Sequence, residues 1–303
     1  LDQKLQQLTG ANPEILPDMP QCLGGRHVTG IAALNIPTFR ITNGPVGLGQ
    51  NDCIDPAAAK TNPYGAYAAY VDPSSAKATA LPSAMAAAAS FDPSVAGAFG
   101  DIIADEMHNL ALHEFEAPGM NLARLPILGR NFEYFGEDPF VAGTMSVAEI
   151  KAIQDKGLIA MSKHYVANEQ ETNRMTIQET VDRQALRELY LLPFEMSVKD
   201  GKVGSIMCAY NYVNGQASCE NQELLTDILR TEWNFKGFVM SDWGAVADRV
   251  KGVAAGLDLE MPGSGGVNDA KIVAAVAAAT GSQMLQLALF TNAAGHASNS
   301  HVR

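Results

Sequence analysis

Short apolar runs that predict buried strands alternate along the chain with longer amphipathic segments that predict helices. The predicted strands span residues 39–42, 117–122, 158–164, 204–209, 237–241 and 256–261. The predicted helices span residues 94–112, 142–156, 182–199, 222–233 and 267–279. Parallel strands joined by helical crossovers give this alternation, so we expect an α/β protein built as a closed barrel or a doubly wound sheet.

Local signals support this segmentation. Asp182 can cap the first turn of the third helix, where Leu186, Leu189 and Tyr190 share one face. No Gly-x-Gly-x-x-Gly sequence follows a predicted strand, so a dinucleotide-binding sheet lacks its fingerprint. From residue 281 to 303 the periodicity disappears, which predicts a partial helix and a frayed tail.

The charge balance narrows the classes of partner. The 303 residues include 33 acidic and 21 basic side chains, giving a formal net charge of -12. Such a charge opposes binding to nucleic acid and to anionic membrane surfaces. No apolar run is long enough to predict a membrane span. The first residues lack an initiator Met and a signal-peptide core, so we expect the chain to begin inside a longer gene product.

The four cysteines, Cys22, Cys53, Cys208 and Cys219, lack the spacing of a structural metal site, and no metal is expected. The Asn- and Gly-rich segment 211–215 can fold back and bring Cys208 and Cys219 together. A disulfide there indicates an oxidising compartment. The alternative is two buried free thiols in a cytosolic protein.

The sequence Val239-Met240-Ser241-Asp242-Trp243 carries the sharpest chemical signal. It places a carboxylate at the end of a buried strand, which is where barrel enzymes keep their reactive groups. The Trp243 indole follows directly, and a carboxylate beside an aromatic surface suits sugar chemistry.

Other strand ends also present polar groups. Lys163 and His164 end one strand, Tyr210 and Asn211 follow another, and Asn43 follows the first. Adjacent strand residues point to opposite faces, so Lys163 and His164 can both face inward only through a bulge or a loop. A structural histidine is the alternative for His164. Together these strand ends predict a pocket that binds hydroxyl groups.

The segment 124–133 adds two guanidinium groups, Arg124 and Arg130, that can bind hydroxyl or carboxylate oxygens through forked hydrogen bonds. The alternative is that they form surface ion pairs with Glu133 and Glu137.

These residues give the chain a resemblance to the N-terminal catalytic barrel of glycoside hydrolase family 3, the retaining β-glucosidase family. The resemblance runs from about residue 1 to 263. Its motifs are Asn43-Gly44-Pro45-Val46-Gly47, the Arg-x-Pro-x-x-Gly-Arg-Asn-Phe-Glu stretch from Arg124, Gly136-Glu137-Asp138-Pro139, Lys163-His164-Tyr165, Glu171-Thr172-Asn173-Arg174, Met207-Cys208-Ala209-Tyr210-Asn211, Ser241-Asp242-Trp243-Gly244 and Leu259-Glu260-Met261-Pro262-Gly263.

The resemblance implies a single α/β domain, a (β/α)8 TIM-like barrel over residues 1–280, with irregular first strands. It leaves residues 281–303 as a divergent tail and no C-terminal α/β domain. It also implies that Asp242 is the nucleophile of a covalent mechanism. The resemblance assigns substrate binding to Asn43, Arg130, Lys163, His164, Met207, Tyr210 and Trp243. Lys163 and Arg130 should keep Asp242 ionised, because nearby cations lower a carboxylate pKa.

The chain departs from the family pattern at Asn43, where the family usually has Asp. The amide should bind sugar hydroxyls less strongly, unless Asp52 substitutes. The segment from Lys163 to Glu169 lacks the Lys-His-Phe-Pro-Gly-His-Gly signature of single-domain relatives, which disfavours an N-acetylhexosaminidase.

The acid/base residue is the second departure. In multidomain members a second domain supplies it, and here its identity is unknown. The candidates within the chain are Glu169 and Glu171, although Glu171 is expected to pair with Arg174.

The resemblance therefore implies a retaining exo-β-glucosidase that acts on β-glucosides or oligosaccharides without metal or organic cofactor, and that is incomplete in this chain for lack of an acid/base. One alternative is a sugar-binding barrel without turnover, and another is a β-xylosidase or arabinosidase of the same family. We expect secretion or a periplasmic location, with the cytoplasm as the alternative, and homo-oligomerisation is left open.

Overall fold

The structure is a computed structural model that describes residues 2–11, 26–49 and 78–278. Its strands are β1 (His27–Val28), β2 (Phe39–Asn43), β3 (Glu114–Glu116), β4 (Ile159–Tyr165), β5 (Gln178–Glu179), β6 (Ser205–Cys208), β7 (Tyr212–Val213), β8 (Gln216–Ala217) and β9 (Phe238–Ser241). Its α-helices are α1 (Asp2–Leu8), α2 (Ala84–Ala88), α3 (Pro93–Asn109), α4 (Pro139–Asp155), α5 (Arg183–Ala185), α6 (Leu192–Lys199), α7 (Arg249–Ala255) and α8 (Val267–Ala278).

The main sheet is curled and has the strand order β1-β2-β3-β4-β6-β9. The strands β2, β3, β4, β6 and β9 are parallel, whereas β1 runs antiparallel to β2. The first strand is therefore irregular, as predicted. Beyond β9, isolated backbone hydrogen bonds lead back toward β1. The N–H groups of Ser241, Glu260, Gly10 and Ala11 donate to the carbonyls of Leu259, Leu8, Glu260 and His27, in that order. The short strands β5, β7 and β8 form a separate sheet.

Two apolar cores hold the curled sheet in place. The larger core packs the sheet against the helices, chiefly α3, α4 and α6. The smaller core is rich in methionine and takes residues from successive strands of the main sheet. Its members are Val28, Ile41, Met161, Met207, Met240, Leu259 and Met261. Asn43, Lys163 and Asp242 each lie two residues beyond a member of this core, so alternation along the strand places them above it.

The helices begin where the sequence supplies a cap. Asp92 and Asp138 precede α3 and α4, and each side chain accepts a hydrogen bond from a backbone N–H of the first turn. A proline follows each cap at the first helical position, where a missing N–H costs nothing. Asp182 caps α5 in the same way, as predicted.

Two strand predictions were wrong. The segment 117–122 is not a regular strand, because β3 ends at Glu116 and Pro118 has no N–H to donate. Buried glutamates in β3 hid the true strand, since glutamate is seldom buried. The segment 256–261 contributes two isolated bridges, from Leu259 to Met240 and from Glu260 to Thr9.

Two predicted helices have a different form. The segment 182–199 is interrupted by a π-helical turn at Leu186–Tyr190. It comes just before Pro193, whose missing N–H cannot bond one turn back. The segment 222–233 is π-helical from Glu223 to Glu232. The helices predicted at 94–112, 142–156 and 267–279 are confirmed with shifted ends as α3, α4 and α8, residue 279 lying outside the described residues.

Cys208 and Cys219 form a disulfide with their Cα atoms 5.2 Å apart, so the free-thiol alternative was wrong. Cys22, Cys53, Asp52 and the tail 281–303 lie outside the described residues. In the described ranges no helix has both the length and the apolar character to cross a bilayer.

Candidate active site

Asp242 follows the last residue of β9, and its backbone N–H donates to the Cys208 carbonyl of β6 at 3.1 Å. Its Oδ1 accepts a hydrogen bond from the Trp243 backbone N–H at 2.7 Å. Its Oδ2 is buried and accepts no hydrogen bond from any described residue. One carboxylate oxygen is therefore fixed in place, while the other is left for a ligand.

The pKa of Asp242 is raised above its ordinary value of 3.8, chiefly by burial. The Trp243 backbone hydrogen bond, Lys163, Arg130 and Tyr210 act in the opposite direction. The prediction that Lys163 and Arg130 lower this pKa was right about their sign. Removal of the carboxylate from water outweighs them, so the net shift is upward, and an ionised Asp242 stays a prediction.

Lys163 and His164 both face the site because β4 contains a bulge. The pairing of β4 with β6 shifts between Ser162 and Tyr165, so that three steps along β4 match two along β6. Both side chains are almost fully buried. Burial lowers the pKa of Lys163, while Glu133 and Glu116 act to raise it.

The partners of His164 assign its tautomer. Its Nδ1 lies 3.2 Å from Asn121 Oδ1, and that oxygen also accepts from the His164 backbone N–H at 2.8 Å. Its Nε2 lies 3.1 Å from Arg130 Nη2, which can only donate. We therefore place the proton on Nδ1 and a lone pair on Nε2. Burial, followed by Arg130 and Lys163, lowers the pKa of His164 well below 6.5, so the ring is neutral.

Arg130 is clamped rather than exposed. Its guanidinium donates two hydrogen bonds to Glu133, at 2.9 and 2.8 Å, and a third at 3.4 Å to Glu171. Burial opposes its charge, but the hydrogen bonds to Glu133 raise its pKa and keep it cationic. Arg130 therefore pairs with Glu133, as the ion-pair interpretation predicts, although the pair is largely buried rather than on the surface. It also contacts His164, and its binding of a sugar stays a prediction.

Tyr210 and Trp243 border Asp242 on another side. The Tyr210 hydroxyl donates to the Trp243 carbonyl at 3.0 Å, and its proximity lowers the pKa of Asp242. The Arg174 guanidinium lies 4.5 Å from the centre of the Tyr210 ring, and that of Arg26 lies 4.2 Å from the Trp243 ring. Both rings therefore have a cation on one face.

Met207 and Asn43 complete the set. Met207 is buried in the methionine-rich core against which Trp243 packs. The Asn43 Oδ1 accepts a hydrogen bond from Lys163 Nζ at 3.0 Å. The amide therefore holds the lysine without neutralising it.

The two acid/base candidates occupy different surroundings. Glu171 accepts hydrogen bonds from Arg130, Arg174 and Asn168, at 3.4, 3.1 and 3.1 Å. These contacts engage both of its carboxylate oxygens, and its predicted contact with Arg174 is confirmed. Glu169 is fixed instead by Asn121 and the Leu122 backbone N–H, and burial raises its pKa to about 7.

The structure adds residues that the sequence did not single out for this site. Arg26, Asn121 and Arg174 all contact predicted site residues. Only Arg174 lay within a recognised motif, where it was expected merely to pair with Glu171. Arg124, in contrast, lies against Tyr190. Within the part of the chain that is described, no three His, Cys, Asp or Glu side chains are grouped to hold a metal ion.

A fixed carboxylate with one free oxygen, among a neutral imidazole, two cations and a phenol, can bind a polyhydroxylated ring and attack an electrophilic carbon. The family profile described as glycosyl hydrolase family 3 N terminal domain matches residues 70–292. Thermostable beta-glucosidase B of Acetivibrio thermocellus is 42% identical over 250 residues, 82% of this chain and 32% of that protein. An exo-alpha-(1->6)-L-arabinopyranosidase of Bifidobacterium longum is 40% identical over the same share of this chain and 31% of its own length.

Solved structures agree with these sequence matches. The structure of beta-glucosidase 3B from Thermotoga neapolitana in complex with glucose superposes with a TM-score of 0.82 at 33% identity. The match covers 96% of this chain and 40% of that one. The chain spans about a third of the length of the curated relatives it matches. It belongs to glycosyl hydrolase family 3, as a form of that family's N-terminal domain.

Proposed function

We propose that this chain forms the sugar-binding part of a retaining exo-β-glucosidase, with Asp242 as its nucleophile. The observation that carries the proposal is the free Oδ2 of Asp242, 3.7 Å from the neutral His164 Nε2. In this proposal Arg130, Lys163, His164 and Tyr210 bind the hydroxyl groups of the terminal sugar. Trp243 borders the ring, Met207 packs beside it, and Asn43 contributes an amide.

In the proposed reaction, Asp242 Oδ2 bonds to the anomeric carbon while the bond from that carbon to the leaving oxygen breaks. The electron pair of the broken bond stays on the leaving oxygen, which takes a proton. Water then adds to the anomeric carbon, gives one proton to the solvent, and releases the Asp242 carboxylate. Two displacements at one carbon retain its configuration.

We assign the leaving-group proton to neither Glu171 nor Glu169. Both oxygens of Glu171 already accept hydrogen bonds, from Arg130, Arg174 and Asn168, so neither is left to face a leaving group. Glu169 has a pKa of about 7, but its bonds to Asn121 and Leu122 direct it toward another pocket. A general acid must first satisfy geometry. Substrates whose leaving groups need no protonation should therefore react fastest with this chain.

The architecture proposed around this site is a barrel of eight strand segments. The support is the series of bridges that leads from β9 through Leu259, Glu260 and Gly10 to His27. These bridges would place eight chain segments around the methionine-rich core, with Asp242 at the carboxyl end of β9.

The proposed substrates are β-glucosides or oligosaccharides with a terminal β-glucosyl unit, which the names of the β-glucosidase relatives favour. The second candidate is a pentopyranosidase, either a β-xylosidase or an arabinosidase, which the arabinopyranosidase relative favours. Rates on dinitrophenyl glucoside, xyloside and arabinopyranoside separate the two, because the first proposal requires the glucoside to be fastest. We also propose a secreted or periplasmic location, which the disulfide supports.

The proposal is tested by incubating the chain with dinitrophenyl 2-deoxy-2-fluoro-β-glucoside and mapping the labelled peptide by mass spectrometry. A covalent sugar on Asp242 is the expected result. Glucose binding with no adduct and no release of dinitrophenol would instead establish a sugar-binding barrel without turnover.

A further inference from the structure

A second polar pocket, of about 460 Å³, lies beside the loop that follows β4. Its described lining includes none of the side chains grouped around Asp242. Its volume falls in the range of ~300–1,000 Å³ typical of small-molecule sites. We call it the Glu169 pocket, and its polar lining includes Arg124, Glu169, Gln170, Glu179, Thr180 and Tyr190.

The Glu169 pocket contains a buried carboxyl oxygen that has no partner among the described residues. Glu169 is only 8% exposed, and its Oε2 accepts no hydrogen bond there. Burying such a group unpaired costs free energy, which a bound donor would recover. Glu169 is also one of the residues that line the pocket.

The carboxyl group is held for this role rather than loosely placed. Its Oε1 accepts hydrogen bonds from the Leu122 backbone N–H at 3.0 Å and from Asn121 Nδ2 at 3.3 Å. Asn121 is itself fixed by the His164 backbone, because its Nδ2 donates to the His164 carbonyl and its Oδ1 accepts from the His164 N–H. The free oxygen is therefore positioned by a rigid, fully buried frame.

The remaining lining combines donors and acceptors. Arg124 hydrogen-bonds the Tyr190 hydroxyl and lowers the pKa of Glu169 and of Glu179. Gln170 and Thr180 add groups that can both donate and accept. A sugar hydroxyl also donates and accepts, so it can bind Glu169 whether that group is protonated or ionised. An organic cation would require the ionised form alone.

We propose that the Glu169 pocket is a second saccharide site, in which the free Oε2 of Glu169 binds a sugar hydroxyl, separate from the site at Asp242. The inference takes the saccharide ligand class from the proposed function, but it requires no bond cleavage. Asn121 joins the two sites, since it contacts both Glu169 and His164.

The test titrates cellobiose into the Asp242→Asn chain by calorimetry and compares it with three further variants in that background. Glu169→Gln keeps the shape and the acceptor for Leu122 but removes the free acceptor oxygen. Thr180→Trp fills the pocket from an exposed position. Glu149→Gln is the matched control, because Glu149 is another buried carboxyl whose pKa burial raises, and it does not line the pocket.

We expect two binding events in the parent chain and in Glu149→Gln. At pH 8, where Glu169 with its pKa of about 7 is mostly ionised, Glu169→Gln should weaken one event about tenfold, the effect of losing a hydrogen bond to a charged group. Thr180→Trp should abolish the same event. Crystals soaked in cellobiose should show the sugar against Glu169. Equal binding in all four chains, loss in Glu149→Gln, or occupancy by Tris but not by cellobiose would overturn the proposal. Glu169-dependent binding, together with no Asp242 adduct when the wild-type chain is labelled, would refute the proposed catalysis alone.

Discussion

Two buried carboxyl groups, Asp242 and Glu169, connect to opposite nitrogens of the same imidazole. Asp242 lies 3.7 Å from His164 Nε2, whereas Glu169 reaches Nδ1 through Asn121. In each, a backbone N–H holds one oxygen and the other oxygen has no described partner. Burial raises the pKa of both.

Their neighbours differ in charge. Lys163 and Arg130 act on Asp242, while Glu169 has one cation, Arg124, and a like-charged neighbour, Glu179. Under the proposed mechanism, burial alone does not define the nucleophile. A nucleophile needs cations that favour its charged form, whereas a group without them is suited to hydrogen bonding with neutral hydroxyls.

Asp242→Asn should have the largest effect, lowering kcat/KM for dinitrophenyl glucoside by about 10⁴-fold or more, because the covalent step is lost. The same change should raise the melting temperature at neutral pH, since it removes a buried charge. Glu149→Gln, which alters a buried carboxyl on α4 away from the site, should change stability but leave kcat/KM within about twofold of the wild type. Retained turnover in Asp242→Asn would contradict the distinction drawn between Asp242 and Glu169.

Lys163→Met should lower kcat/KM by about 10²-fold, through loss of a hydrogen-bond donor to substrate and of a nearby cation. It should also raise the pKa of Asp242, because Lys163 now lowers it. The acidic limb of the pH profile should therefore move to higher pH. A merely structural role for Lys163 would reduce the rate without moving that limb.

Glu169→Gln should make stability less dependent on pH. The pKa of Glu169 is raised from 4.5 to about 7, so the folded state keeps a proton that the unfolded state releases in that window. The free energy of unfolding of the wild type should fall as pH rises from 4.5 to 7. The variant should gain about 1–3 kcal/mol over the wild type across that window and little below it. Parallel denaturant curves at pH 4 and 8 check this, and a constant difference would contradict it.

Asn43→Asp should have the smallest effect, lowering the inhibition constant for glucose about three- to tenfold, because charge-assisted hydrogen bonds are stronger. The new carboxylate would also pair with Lys163, which Asn43 now contacts at 3.0 Å. An unchanged constant, measured by competition with dinitrophenyl glucoside, would show that residue 43 does not contact the sugar.

The contrast between these groups also shows what sequence reasoning could reach. Asp242, Lys163, Tyr210 and Asn43 were predictable, because each follows an apolar run at a strand end. The bulge at Lys163 and His164 was predictable in kind, since a strict pleat would separate the two side chains.

Other features were beyond the reach of local pattern. Asn121, Arg26 and Arg174 meet their partners through contacts distant in sequence, which periodicity does not encode. The net pKa of Asp242 depends on burial, and burial follows from the folded packing. The strand β3 was missed because two of its three residues are buried glutamates.

Chemical rescue of the Asp242→Ala chain tests the central claim most directly. Azide supplied with dinitrophenyl β-glucoside should restore turnover, because it can enter from the face that Asp242 vacates while the leaving group needs no protonation. The account predicts an azide-dependent rate and α-glucosyl azide as the product identified by NMR. No acceleration by azide, or formation of the β-anomer, would contradict the assignment of Asp242 as the nucleophile.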